Sequence, residues 1–221
     1  MKLIFNALTK FIIGLLFVGL LLFLPAWTLN YPNAWLFITL LFVPILILGI
    51  VLFIKSPDLL EKRLNAKEKE NTQKSVVGIS AIIFLVGFIV AGLDYRFNLT
   101  YVPKYVVIIA SCVLLVSYAL YAEVMRENVY LSRTIEVQEN QKVIDKGLYK
   151  IVRHPMYAVT IWLFLSIPLI LGSWYSLICF TLYIPVIIAR IINEEKVLEK
   201  SLDGYTDYKK RTKYRLIPFI W

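Results

Sequence analysis

Four runs of 18 to 21 predominantly apolar residues, at 11–29, 34–54, 76–93 and 102–121, restrict this chain more than any other feature. At 1.5 Å per residue, a helix of that length crosses a hydrocarbon core of ~30 Å. In lipid every backbone polar group must be satisfied within the protein, so such runs read as spanning helices. Two shorter runs, 156–171 and 174–189, contain Pro168 and Pro185 and are separated only by Gly172-Ser173. A tight hairpin of two spanning helices competes there with a re-entrant pair. The hairpin is preferred, because broken backbone at membrane depth must be covered by protein or water. With 59% apolar and 18% charged residues, a soluble globule of 221 residues has more apolar surface than its interior can hide. The expected fold is an all-α, polytopic integral membrane bundle of about six transmembrane helices with a cytoplasmic C-terminal amphipathic helix.

The basic residues orient this bundle. Lys2 and Lys10 precede the first helix, and the turn around Tyr31-Pro32-Asn33 has none. The next connection carries Lys55, Lys62, Arg63, Lys67, Lys69 and Lys74, whereas the third has only Arg96 and Lys104. Arg126, Arg133, Lys142, Lys146, Lys150 and Arg153 follow the fourth helix, and the tail collects Lys196, Lys200, Lys209, Lys210, Arg211, Lys213 and Arg215 behind Arg190. The positive-inside rule therefore expects both termini in the cytoplasm. The net charge of +9 is explained by this topology signal and by attraction to anionic headgroups, so a nucleic-acid partner is not expected. The first run is long for a signal-peptide core and lacks an obvious small-residue cleavage site, so it reads as a retained helix. Cys112 and Cys179 lie inside apolar runs, as small buried hydrophobes rather than a disulfide or a metal pair. No metal is expected.

Two regions follow, 1–122 with hydrophobic helices and 123–221 with polar segments bordering the last helices. The connection 56–75 mixes both charges without an apolar stripe and reads as solvated. In the tail, Ile191, Ile192, Val197, Leu198, Leu202, Tyr205 and Tyr208 recur at roughly helical spacing among charges. Such a helix can lie along the membrane surface or fold under the bundle, so the tail and the segment 123–155 could close over one site.

Three constellations can carry chemistry. Arg153-His154-Pro155 holds the only histidine where a polar segment becomes apolar; ordinarily the arginine snorkels and the proline starts a helix. Arg190 with Glu194 and Glu195 stands where the last apolar run ends. Arg190 and Glu194 can pair at i,i+4, but this leaves Glu195 unexplained, and adjacent carboxylates there can seat a cationic ligand. The stretch 204–218, rich in tyrosine and basic residues, is in isolation an interfacial anchor. No glycine-rich dinucleotide loop, Walker loop, nucleophile elbow or His-Glu-x-x-His is present.

Taken in order, Glu127-Asn128, Gly147-x-Tyr149, Arg153-His154-Pro155-x-Tyr157, Arg190 with Glu194-Glu195, Tyr205-x-x-Tyr208 and Arg215-Leu216-Ile217-Pro218 resemble the isoprenylcysteine carboxyl methyltransferase family, membrane methyltransferases related to the phospholipid N-methyltransferases. The resemblance covers about the last hundred residues. It implies S-adenosylmethionine as cofactor, bound without a Rossmann domain by His154, Pro155, Tyr157, Glu194 or Glu195, and Tyr205 or Tyr208, with Arg153 or Arg190 as the catalytic, substrate-orienting group. One departure is Leu148, where proline is common; it is expected to alter loop stiffness more than chemistry.

The donor set agrees with that implication. A sulfonium cofactor needs carboxylates, a positive donor and an aromatic wall. A carboxylate acceptor is already ionised at neutral pH, whereas a protonated amine needs a base, for which His154 or a glutamate is the candidate. The absence of a dedicated base relay points to a carboxylate on a lipophilic or lipid-modified substrate, with phospholipid N-methylation as the alternative. A non-catalytic transporter or assembly subunit is the rival of another class. Its ion pathway would place acidic residues deep in the bundle, yet Asp94 and Glu123 lie only at the edges of apolar runs.

Overall fold

The computed structural model describes residues 2–64, 71–131 and 137–221. Lys67, Lys69, Glu68, Glu70 and Arg133 of the polar connections lie outside the described residues. Helices α1 (Lys2–Ala26), α2 (Pro32–Lys55), α4 (Asn71–Phe97), α5 (Lys104–Glu127) and α6 (Pro155–Leu171) each hold most or all of one apolar run. The last run is divided between α7 (Trp174–Thr181) and α8 (Tyr183–Ser201). Five segments are long and apolar enough to cross a membrane, with 174–201 counted as one, and α6 is a shorter apolar helix. Among the described residues the bundle is all-helical and multi-pass. Outward-facing side chains such as Phe5, Ile13, Leu16, Ile108 and Trp162 are exposed, as lipid-facing residues must be.

Turn chemistry explains the hairpin. Gly172, at φ 84, ends α6 in a left-handed cap, with its N–H and that of Ser173 bonded to the carbonyls of Leu169 and Pro168. Ser173 then caps α7 by accepting from the Ser176 N–H at 3.0 Å. Pro185 lacks an N–H and crowds the carbonyl four residues earlier, Thr181, where α7 stops and the chain turns through Leu182 into α8.

At this end Asp94 is 2% exposed, and its carboxylate accepts from the Thr100 N–H at 2.7 Å, the Thr100 hydroxyl at 2.6 Å and the Ser173 hydroxyl. It staples the α4–α5 connection to the α6–α7 turn. The Tyr31 hydroxyl donates to the Leu171 carbonyl at 2.6 Å, tying α2 to the same corner.

Three expectations need correction. The connection after α2 is not a solvated loop throughout: α3 (Pro57–Leu64) buries Leu59 and Leu60, and Leu59 packs with Val124, Met125 and Tyr149. Two leucines in one turn are too short a stripe to stand out among charges. Cys112 is exposed on the outer face of α5 rather than buried, and both cysteines are free. The amphipathic tail is not one helix. Residues 191–201 continue α8, and α9 (Tyr205–Arg211) starts afresh after Gly204, which sits at φ 80.

Candidate functional site

The site is built where α6 begins. Pro155 occupies the first helical turn, with His154 as N-cap residue. The tail runs back across this point: the Arg153 N–H donates to the Tyr214 carbonyl and the His154 N–H to the Arg215 carbonyl, both at 2.9 Å.

Glu195 fastens the arrangement from α8. Its Oε1 accepts from Arg153 Nε at 2.7 Å and lies 3.3 Å from His154 Nε2, and its Oε2 accepts from Arg215 Nε at 2.9 Å. Arg153 Nη1 donates to the Thr212 and Lys213 carbonyls, at 2.7 and 2.8 Å. Glu195, Arg153 and His154 are 2%, 6% and 5% exposed. A buried carboxylate with three cationic or imidazole partners holds three chain segments in register, and the partners offset its desolvation.

One residue earlier, Glu194 faces a different way. The Tyr157 hydroxyl donates to Glu194 Oε2 at 2.5 Å and accepts from Arg190 Nε at 2.9 Å, and the Arg190 guanidinium lies 5.9 Å from the Tyr157 ring centre. Arg190 and Glu194 thus meet at a tyrosine on the neighbouring helix.

The polar segment forms the opposite wall. Gly147, at φ 55, opens a 3-10 turn over Gly147–Lys150. The Glu127 carboxylate accepts from the Leu148 N–H at 2.9 and 3.1 Å. A proline at 148 has no such proton, so Leu148 changes a hydrogen bond as well as stiffness. Asn128 Nδ2 donates to the Tyr149 hydroxyl at 2.9 Å, and the Tyr208 hydroxyl donates to the Tyr149 carbonyl at 2.6 Å, which joins α9 to the turn. An Arg211–Asp145 ion pair at 2.9 Å adds a second tie. The two polar segments thus come together across one cleft.

Between them lies an open cleft of about 830 Å³, counted to its mouth. Arg153, His154, Tyr157, Arg190, Glu194, Tyr205 and Tyr208 line it. Pro155 and Glu195 do not: the proline shapes the start of α6, and the glutamate stands behind the wall. Sequence reasoning passed over Asn128, Gln141 and Tyr149 as lining residues, although Asn128 and Tyr149 stood inside the quoted motifs. Among the described residues no group of His, Cys, Asp or Glu is arranged to hold a metal.

Tyr205 carries the strongest sign of a missing partner. Its hydroxyl is buried and has no hydrogen-bond partner among the described residues, while burial, and then the Glu195 and Glu194 carboxylates, push its pKa well above the ordinary tyrosine range. It therefore remains a donor, and a buried orphan donor in a cleft wall is costly unless a ligand completes it. A sulfonium nucleoside amino acid fits the set: a carboxylate and tyrosine faces for the cation, apolar Val143, Ile144, Leu198 and Leu202 for a base, and an orphan hydroxyl for a polar group.

A second cleft of about 960 Å³, again counted to its open mouth, begins on the other side of Met156, Tyr157 and Arg190, which line both. Its wall is largely apolar, with Val76, Val77 and Phe84 of α4, Phe164 of α6 and Tyr183 and Ile187 of α8.

No curated protein matched this chain. Residues 105–203 match the family model described as phospholipid methyltransferase, which takes in the cleft residues from Asn128 to Leu202 and ends before Tyr205 and Tyr208. Over these residues, just under half of the chain, the protein is similar to the phospholipid methyltransferases.

Proposed function

We propose that this protein transfers a methyl group from S-adenosylmethionine to a lipophilic acceptor, and that the reaction is carboxyl O-methylation of an isoprenylcysteine-like substrate. The observation that carries the reading is the shared wall: Tyr157, Met156 and Arg190 separate a polar, aromatic cleft from an apolar one. When bound, the cofactor supplies an electrophilic methyl carbon on a sulfonium leaving group.

The chain's own residues do the rest. Glu194 and the tyrosine faces hold the positive centre, and Tyr205 donates to a polar group of the cofactor. Tyr157 is fixed by Glu194 and Arg190, so the wall between the clefts is held at the transfer point. Such a displacement depends on alignment and on excluding water, which the overlying tail and 3-10 turn provide. Arg190 faces both clefts and is the better candidate to orient the acceptor. Arg153 is engaged by Glu195 and two carbonyls, so its role is to position the tail. An ionised carboxylate needs no base, and none is required of His154.

In this reading 123–221 is the catalytic region, and the helices of 1–122 lend the second cleft its α4 wall. By the positive-inside rule the basic connections favour a cytoplasmic side for both termini and both clefts, where a water-soluble cofactor is available. Phospholipid N-methylation is the second reading, favoured by the description of the matched family. A transporter or assembly role is weakened by Asp94, whose carboxylate is occupied by hydroxyl and backbone donors.

The fate of the methyl group tests the proposal. Purified protein given methyl-labelled cofactor with an S-prenylated N-acetylcysteine and, separately, phosphatidylethanolamine is expected to yield an ester label released by mild base. Base-stable label on the phospholipid alone would replace the carboxyl reading with the amine one. Tyr205→Phe supplies a finer check. Removing a buried hydroxyl that no described residue pairs is expected to leave the thermal stability of the free protein unchanged or slightly raised, while calorimetric titration finds cofactor binding weakened about tenfold.

A further inference from the structure

The last turn of the tail exposes apolar side chains at the end of a basic stretch. Ile217, Phe219 and Ile220 are 47%, 87% and 77% exposed, and the chain reaches them through Lys209, Lys210, Arg211, Lys213 and Arg215. The turn is closed by its own backbone. The Trp221 carbonyl accepts from the N–H groups of Arg215, Leu216 and Ile217 at 2.9, 2.9 and 3.1 Å, and the Trp221 N–H donates back to the Ile217 carbonyl at 3.1 Å. The Arg215 guanidinium, bonded to Glu195, lies over the Trp221 ring, 5.0 Å from its centre.

Phe219 stands at φ 67, in the left-handed region where glycine fits without strain. Its ring meets that of Tyr214 at 5.3 Å and is otherwise exposed, so little within the chain offsets the strain of a bulky residue there. The inner side of the turn is different. Leu216 is buried, and with Trp221 it joins a cluster made by Ile83 of α4, Tyr157 of α6 and Tyr183, Ile187 and Ile191 of α8. Ile83 lies within the apolar span 74–97, and the α8 residues lie within 174–201. The turn is thus seated on membrane-crossing helices, and α4 exposes Ile79, Ile82 and Val86 to the same medium.

We propose that Ile217, Phe219 and Ile220 insert into the lipid boundary beside α4 and α8 and anchor the far end of the tail that covers the first cleft. Apolar side chains preceded by basic ones match an acyl layer edged by phosphates. Residues 205–221 carry five basic residues and one acidic one, which suits an anionic leaflet. Tyr205 and Tyr208 belong to the same tail, so the lipid anchor and the Glu195 cluster hold it at two points. The anchor is independent of the reaction proposed above.

Depth-dependent quenching tests it in nanodiscs of phosphatidylcholine and phosphatidylserine. A fluorophore is attached at Ile220→Cys and, as a reference on the same tail, at the exposed Thr206→Cys, each in a chain carrying Cys112→Ala and Cys179→Ala. The label at 220 is expected to be quenched by lipids brominated on their acyl chains and shielded from iodide, and the label at 206 the reverse. Equal access of iodide to both would overturn the anchor. Shielding of 220 from both quenchers would also overturn it, by placing a protein surface such as a second copy of the chain over the turn. Phe219→Gly, with the native cysteines kept, gives a second readout. In nanodiscs trypsin should cut at 209–215 about tenfold faster, while the thermal midpoint stays unchanged or rises as the strain is relieved. An unchanged cleavage rate, or a midpoint lowered by lost packing on Tyr214, would contradict the proposal.

Discussion

Glu195→Gln is expected to have the largest effect of any single substitution near the site. The change removes the one anion shared by Arg153, His154 and Arg215 and leaves the Arg153 guanidinium buried without a counter-charge. Breaking a buried ion pair in this way costs about 3–5 kcal/mol. The tail joined to the start of α6 is the element that loses its hold. In detergent the thermal midpoint should fall, and trypsin should cut faster at the basic residues 209–215. Cofactor binding should fall with it, because Tyr205 and Tyr208 move with that tail. Glu194→Gln should behave differently, with reduced cofactor affinity and little change in stability. A Glu195→Gln protein as stable and protease-resistant as wild type would mean that the ion-pair cluster does not hold the tail.

Gly147→Ala should be nearly as damaging for a different physical reason. A Cβ at this position would stand 1.5 Å from Glu127 Oε1, on a residue whose φ is 55. The left-handed conformation costs alanine roughly 1–2 kcal/mol, and displacing Glu127 forfeits a charge-assisted bond worth about 1.5–3 kcal/mol. The bond chain from Asn128 through Tyr149 to Tyr208 lines the cleft, so the strain reaches the ligand site. Calorimetric titration is expected to find cofactor binding weakened at least about a hundredfold. Unchanged affinity would show that the 3-10 turn is not part of the cofactor wall.

Helix positions could be read from the sequence because bilayer thickness fixes the length of an apolar run, and Gly172-Ser173 marked the hairpin by its turn chemistry. The α8 helix extends well beyond its hydrophobic run, to Ser201, because ion pairs allow Glu195 to be buried, and that compensation comes from residues up to 42 positions away. Leu59 and Leu60 could not reveal α3 without knowledge of the neighbours that bury them. The motif residues gather around one cleft, but the motifs did not distinguish the surroundings of each. Glu194 and Glu195 are adjacent and chemically identical, yet successive positions on a helix face different surroundings, one toward the cleft and one toward the tail. Arg153 and Arg190 divide in the same way. Asn128 and Tyr149 stand 21 residues apart and became recognisable as one wall only when the chain closed.

Central to the proposed reaction is binding of S-adenosylmethionine in the first cleft. The most direct measurement is a calorimetric titration of that cofactor into the purified wild-type protein and into Glu194→Gln, each first shown to have the same thermal midpoint. Saturable binding at one site per chain is predicted for wild type, weakened about ten- to a hundredfold in the variant through loss of a charge-assisted contact. Absence of saturable binding to the wild-type protein, or identical affinity in the two, would contradict it.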